Sequence, residues 1–233
     1  DVGENARVTI WLDQMLPRAA HCALSSTDRA AKVAAAEFLH AATLLMVGRN
    51  ARAFAPEGGD HAREATPFHK IYRRLFPVVL ELAIDQEPVC RQLFSALATQ
   101  LVRWFTRNQA REAAETVALL DAVVEGLAGD PARRDAESDG DTFTGGTSEK
   151  VSGGAAARRR DLCASLAAEC LKWSVRSVPS GDLRGGRNAP TRGSAGSGDG
   201  NGQSVAVNVS SLLRRLFAFQ THPDPARRLG AAV

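Results

Sequence analysis

The chain reads as an all-α protein, an α-α superhelix of stacked helix pairs interrupted by two flexible insertions. Three observations lead there. Helix-tolerant Ala, Leu, Arg and Glu dominate the 233 residues, whereas strand formers are scarce, with 3 Ile, 1 Tyr and 18 scattered Val. Apolar residues recur at alternating four- and three-residue steps, the period of one helix face. Finally, 14 of the 20 Gly fall in two stretches, 129–157 and 179–203, which carry almost no large apolar residue. Such segments bury too little surface to offset the entropy of ordering them, so they read as insertions.

The elements follow in order. A helical pattern runs from Glu4 to Ala23, with Val8, Trp11, Leu12, Met15 and Leu16 on one side and Pro17 interrupting it. The polar cluster Ser25-Ser26-Thr27-Asp28 suits the start of a second helix, which places Ala30, Ala34, Phe38, Ala41 and Leu45 on one face and ends at Gly48. Thr66-Pro67 opens a third, with Phe68, Ile71, Leu75, Val79 and Leu82 in line and Pro77 expected to kink it. Cys90, Phe94, Leu97, Leu101 and Trp104 make the clearest stripe, and Ala113, Val117, Leu120, Val124 and Leu127 repeat it up to Gly129. Leu162, Leu166, Cys170 and Trp173 follow the first insertion. After the second, Asn208 caps a helix with Val209, Leu212, Leu216 and Phe219, and His222-Pro223-Asp224-Pro225 precedes a last helix starting at Ala226. The organisation is therefore helical repeats over 1–128, an insertion over 129–157, a repeat helix over 158–178, a second insertion over 179–207 and a further repeat over 208–233.

Composition excludes more than it assigns. Leu, Ile, Val and Phe total 53, roughly 23% of the chain and above the disordered range. The longest near-apolar stretch, Phe76 to Ile84, contains Glu81 and falls well short of the ~20 residues of a membrane span. No basic leader with an apolar core opens the chain, and the missing initiator Met together with the abrupt end reads as a piece of something longer. With 29 basic and 26 acidic side chains, the net charge of +3 permits a nucleic-acid partner without announcing one. Ala occurs 40 times and Arg outnumbers Lys 25 to 4, a bias that a GC-rich coding sequence explains, so neither excess counts as a functional signal.

No chemistry-bearing constellation emerges. Cys22, Cys90, Cys163 and Cys170 form no C-x-x-C pair and read as small buried hydrophobes. His21, His40, His61, His69 and His222 are scattered, without metal-ligand spacing. The run Gly196 to Gly202 misses a phosphate-loop pattern and follows no strand, so it reads as linker. Catalytic, cofactor-binding and metal residues are therefore expected to be none, with no cofactor and no small-molecule substrate. The basic clusters Arg158-Arg159-Arg160, Arg73-Arg74, Arg214-Arg215 and Arg227-Arg228, with Arg184, Arg187 and Arg192 in the second insertion, fit either phosphate contact or a solvated face. Trp104-Phe105 and Trp173 fit core packing better than a partner groove.

One spacing goes further. Pro77, Asp85 and Arg91 stand at offsets of 8 and 6 between two apolar stripes. This resembles the HEAT-repeat pattern: a kinked first helix, an Asp at the turn that can satisfy free N–H groups of the second helix, and an Arg early in that helix that can pair with an Asp of its own or a neighbouring repeat. Several stretches also resemble, in order, the N-terminal HEAT region of the phosphatidylinositol-3-kinase-related kinases. They include Lys32-Val33-Ala34-Ala35-Ala36-Glu37-Phe38-Leu39-His40, Pro56-Glu57-Gly58-Gly59, Tyr72-Arg73-Arg74-Leu75-Phe76-Pro77-Val78 and Gln100-Leu101-Val102-Arg103-Trp104-Phe105-Thr106. Thr116-Val117-Ala118-Leu119-Leu120, Leu171-Lys172-Trp173-Ser174, Ser211-Leu212-Leu213-Arg214-Arg215-Leu216 and Arg228-Leu229-Gly230-Ala231 continue the series. The resemblance spans Thr27 to the end apart from the two Gly-rich stretches. It implies a non-catalytic, nuclear scaffold segment whose partners are the remainder of the parent kinase, the Ku heterodimer and DNA ends, in double-strand break repair by non-homologous end joining. Kinase motifs are absent here and would lie elsewhere in the parent. A HEAT adaptor for other proteins, unrelated to DNA repair, and a small all-α enzyme are the competing readings.

Overall fold

The computed structural model describes residues 11–53, 68–109, 111–128, 153–176 and 209–232. Within them lie eight helices and no strand: α1 (Leu12–Ser25), α2 (Arg29–Ala53), α3 (His69–Ala83), α4 (Pro88–Arg107), α5 (Ala113–Leu127), α6 (Gly153–Arg176), α7 (Val209–Gln220) and α8 (Pro225–Ala232). The pairs α1/α2, α3/α4, α5/α6 and α7/α8 each pack together. Every principal packing beyond these pairs joins consecutive ones: α1 on α3, α2 on α4, α3 on α5, α4 on α6, and α5 on both α7 and α8. A closed bundle would bring its first and last helices together; these pairings instead make four repeats stacked in one direction. The all-α superhelix expected from the sequence is the fold observed.

Local chemistry explains the helix starts. The Asp28 carboxylate accepts hydrogen bonds from Ala30 N (3.2 Å) and Ala31 N (3.1 Å), satisfying donors that the first turn of α2 leaves open. Glu87 does the same for Val89 N at α4, where Pro88 fills the first helical position and has no N–H to lose. In the turn before α4, Asp85 Oδ1 accepts from Glu87 N (2.7 Å).

The core runs the length of the stack. In the second repeat Tyr72 stacks on Phe76 with ring centroids 5.3 Å apart, and Phe105 of α4 meets both rings edge-on at 5.4 and 5.6 Å. Leu75, Leu82, Leu97 and Leu101 surround this cluster, fully buried. Each such side chain contributes roughly 1.5–3 kcal/mol by leaving water. Helices of the third and fourth repeats also approach closely. A Cβ on Gly126 of α5 would collide with the Cys163 sulfur of α6, and one on Gly230 of α8 with the Leu127 carbonyl of α5. Glycine is what lets these helices approach so closely.

The structure departs from the sequence reading at several helix limits. Pro17 lies inside α1 and does not interrupt it. Gly48 does not end α2, which continues to Ala53; an isolated Gly costs a helix only ~1 kcal/mol, and the Ala- and Leu-rich turns around it carry the helix through. α6 begins at Gly153, so residues 153–157, read as insertion, are helical. In α5 the single stripe is too narrow: Ala113 is exposed, whereas Ala118, Leu119, Ala122 and Val123 are buried as well, because α5 is covered by α3, α4, α6, α7 and α8. Arg29–Ala51 is also long and apolar enough to cross a membrane by length and composition, with mean hydropathy 1.4. Its Ala36, Leu39, Ala42 and Met46 are buried, and the helix packs against α1 and α4. Residues 1–10, Pro56 to Gly59, Thr66-Pro67, Gly129, Asn208 and most of both expected insertions lie outside the described residues.

Candidate functional site

The features that repeat along the stack are electrostatic, and they sit where one repeat meets the next. Between the first and second repeats, Arg29 of α2 holds Glu87 in a two-pronged pair (Nε–Oε2 3.0 Å, Nη2–Oε1 3.1 Å), and Lys32 Nζ reaches Asp85 Oδ2 at 2.7 Å. Between the second and third, Arg103 Nε bonds Glu169 Oε2 at 3.2 Å, and Arg159 of α6 pairs with Glu81 of α3. Between the third and fourth, Arg215 pairs with Asp121 and Arg227 Nη2 lies 3.1 Å from Glu125 Oε2. Each junction thus carries two ion pairs that cross it.

These pairs decide what the arginine clusters do. Arg159 is 4% exposed, and burial pulls its guanidinium below the ordinary arginine range, although it keeps Glu81 as a partner. Arg215 and Arg227 each bind a carboxylate of α5. In the clusters Arg158-Arg159-Arg160, Arg214-Arg215 and Arg227-Arg228 one member therefore faces the neighbouring repeat, while Arg158 and Arg214 are exposed, as are both Arg73 and Arg74. Arg91 also differs from expectation. It donates Nη1 to the carbonyl oxygens of Asp85 (2.8 Å) and Gln86 (3.3 Å), while the Asp85 carboxylate goes to Lys32 of the preceding repeat. The turn carbonyls compete successfully because an arginine early in the second helix points back over the turn that precedes it. Arg184, Arg187 and Arg192 lie outside the described residues.

One buried acidic centre escaped the sequence reading. Glu112, at the start of α5, is 2% exposed, and its Oε2 accepts from Trp104 Nε1 at 3.1 Å. Burial, with a smaller contribution from nearby Glu115, pushes its carboxyl up to about 7 despite the opposing Trp104 hydrogen bond. Burial, together with Glu112 and Glu115, raises Tyr72 above the ordinary phenol range, and its buried hydroxyl has no hydrogen-bond partner among the described residues. Thr116 completes the α4–α5 junction, bonding the carbonyls of Glu112 (2.7 Å) and Phe105 (3.1 Å). In the sequence, the only trace is a pair of carboxylates three residues apart, Glu112 and Glu115, at the start of α5.

No group of three or more potential metal ligands occurs among the described residues. His40 packs edge-on against Phe94, and His69 Nδ1 is buried without a hydrogen-bond partner. Cys90, Cys163 and Cys170 are buried and Cys22 is half-buried, with no disulfide among them. Among the described residues two open grooves stand out. One, of about 290 Å³, is lined by Ile84, Asp85, Gln86, Arg91 and Arg158; the other, of about 380 Å³, by Gln100, Arg103, Trp104, Arg107 and Asn108. Trp173 stands beside the second, with the Arg107 and Arg176 guanidiniums 5.4 and 5.2 Å from its ring centroid.

Comparison with known proteins gives this arrangement a context. Residues 66–138, which include α3, α4 and α5, match the family described as DNA-dependent protein kinase catalytic subunit, CC1/2. The DNA-dependent protein kinase catalytic subunit of Mus musculus is 34% identical over 224 residues, 96% of this chain. Those of Xenopus laevis and Dictyostelium discoideum are 32% identical over 230 residues and 31% over 226. The chain spans 4% of the length of each of these relatives.

Proposed function

We propose that this chain, which belongs to the DNA-dependent protein kinase catalytic subunit family, is a non-catalytic helical-repeat scaffold segment that supports DNA-end and Ku binding in double-strand break repair by non-homologous end joining. The observation that carries the reading is the pair of ion pairs at every junction. They fix the angle at which one repeat follows the next, so a displacement at one end of the stack is carried to the other. A segment built this way contributes geometry, and the phosphoryl transfer belongs to a kinase domain elsewhere in the parent. On this reading the protein acts in the nucleus, where the broken DNA lies.

The test uses the full-length kinase with one ion pair of the second junction removed by Arg159→Met and Glu81→Leu, an apolar replacement of a buried arginine and a half-buried glutamate. Activity on a peptide substrate is measured with and without Ku and blunt DNA ends. The scaffold reading expects activity without DNA to be retained and stimulation by Ku and DNA ends to fall several-fold. Undiminished stimulation would contradict it. A HEAT adaptor unrelated to DNA repair would also leave stimulation unchanged, so the same measurement separates the two readings.

A further inference from the structure

We infer that the open face shared by α4 and α6 is a docking groove for an acidic peptide of a partner protein. Four exposed cations converge on it, Arg103 and Arg107 from α4 and Lys172 and Arg176 from α6. Glu169 occupies two of them, bonding Arg103 at 3.2 Å and Lys172 at 3.1 Å. Arg107 and Arg176 meet no carboxylate among the described residues; both lie over the Trp173 ring. Trp173 is itself anchored, its Nε1 donating to Glu169 Oε2 at 3.0 Å. The guanidiniums are thus held in place by an aromatic ring and carry uncompensated charge toward solvent, an arrangement that saves the entropy of ordering two long side chains at the moment of binding.

The adjoining groove of about 380 Å³ sets what fits. Trp104 forms part of its wall, and with Nε1 committed to Glu112 the indole can offer the groove its apolar surface. Carboxylates match the planar fork of Arg107 and the Nη groups of Arg103, which bonds Glu169 through Nε, and an apolar side chain between them would lie against Trp104. Nucleic acid fits less well. Its track would cover several nucleotides, Glu169 sits among the cations and repels a continuous phosphate backbone, and Trp173 already carries two guanidiniums where a base would stack. The inference goes beyond the scaffold role and does not depend on the parent's action at DNA ends.

The experiment follows fluorescence anisotropy of a labelled octapeptide alternating glutamate with leucine, titrated with the full 233-residue chain, beside a labelled twelve-nucleotide oligothymidylate. The peptide is expected to bind. Arg103→Glu with Arg107→Glu should weaken it about tenfold or more, and Arg107→Ala, which leaves the Arg103–Glu169 pair in place, should weaken it about threefold. Arg158→Glu with Arg214→Glu imposes the same change of charge elsewhere and should change affinity by less than about twofold. Circular dichroism checks that each variant is folded; if the double variant is not, Arg107→Ala decides. Absence of peptide binding, equal loss in the two double variants, no effect of Arg107→Ala, or tighter oligonucleotide binding through the same residues would each overturn the proposal.

Discussion

Arg91 and Arg228 hold the same place in two different repeats. Each donates Nη1 to the carbonyls of the residues six and five positions before it: Asp85 and Gln86 for Arg91, His222 and Pro223 for Arg228. The turns beneath them also match. A side chain accepts from the backbone N–H two residues on, through Asp85 Oδ1 in one and His222 Nδ1 in the other, and a proline, Pro88 or Pro225, begins the second helix. Charged hydrogen bonds of this kind contribute about 1.5–3 kcal/mol each when well formed, less where water competes. Arg91→Ala is expected to lower the stability of the chain by about 1–2 kcal/mol. Arg228→Ala should mainly fray α7 and α8, because a terminal repeat opens without unfolding its neighbours. Chemical denaturation followed by circular dichroism checks both, and equal global losses would contradict the distinction.

Glu112 makes stability depend on pH in an uncommon direction. Its folded value of about 7 lies above that of an exposed carboxylate, so between those limits the folded state holds the proton that the unfolded chain releases. The contribution is fully present below the unfolded value near 4.5 and is lost as pH rises through about 7. Glu112→Gln keeps an acceptor for Trp104 Nε1 and removes the charge. It should stabilise the chain by on the order of 2 kcal/mol at pH 8 and by little at pH 4.5. Unfolding curves of both proteins across that range measure the difference; parallel pH profiles would contradict the assignment.

Two glycines should respond oppositely to alanine. At Gly48 a Cβ meets nothing within 4 Å, so Gly48→Ala is expected to stabilise by about 0.5–1 kcal/mol through helix propensity. At Gly126 the same methyl collides with Cys163, so Gly126→Ala should cost about 1–3 kcal/mol by forcing α5 and α6 apart. If Gly126→Ala leaves the midpoint of thermal unfolding unchanged, the close approach of these helices is wrong.

Most exposed large apolar side chains among the described residues lie in the first and last repeats: Trp11 just before α1, Met15 on α1, Leu44 and Leu45 on α2, Leu213 and Phe217 on α7, and Leu229 on α8, with Val175 of α6 the exception. The isolated chain is accordingly expected to aggregate or to unfold at a low midpoint. Light scattering during a thermal scan checks this, and a cooperative soluble monomer beyond about 70 °C would count against it.

Legibility followed the range of the interactions. The α4 stripe was readable because Cys90, Phe94, Leu97 and Leu101 answer to one local period, and all four are buried. Asp28 was readable as part of a capping cluster for the same reason. The end of α2 was misread at Gly48 because a glycine signals a stop only when the following residues cannot continue the helix. The arginine clusters could not be sorted from the sequence, since Arg159 finds Glu81 and Arg215 finds Asp121 across long separations that only the stacking brings together. The groove beside Trp104 and Trp173 stayed hidden for that reason too: its cations come from α4 and α6, on either side of α5 and the first insertion.

Hydrogen exchange resolved by helix tests most directly whether this chain is a stack of repeats held junction by junction. In the full 233-residue chain, α3 to α6 should exchange most slowly, with α1, α7 and α8 opening first and independently. The pair Arg159→Met and Glu81→Leu should alter protection chiefly in α3 and α6. Uniform protection through all eight helices, lost together in a single cooperative opening, would contradict the account.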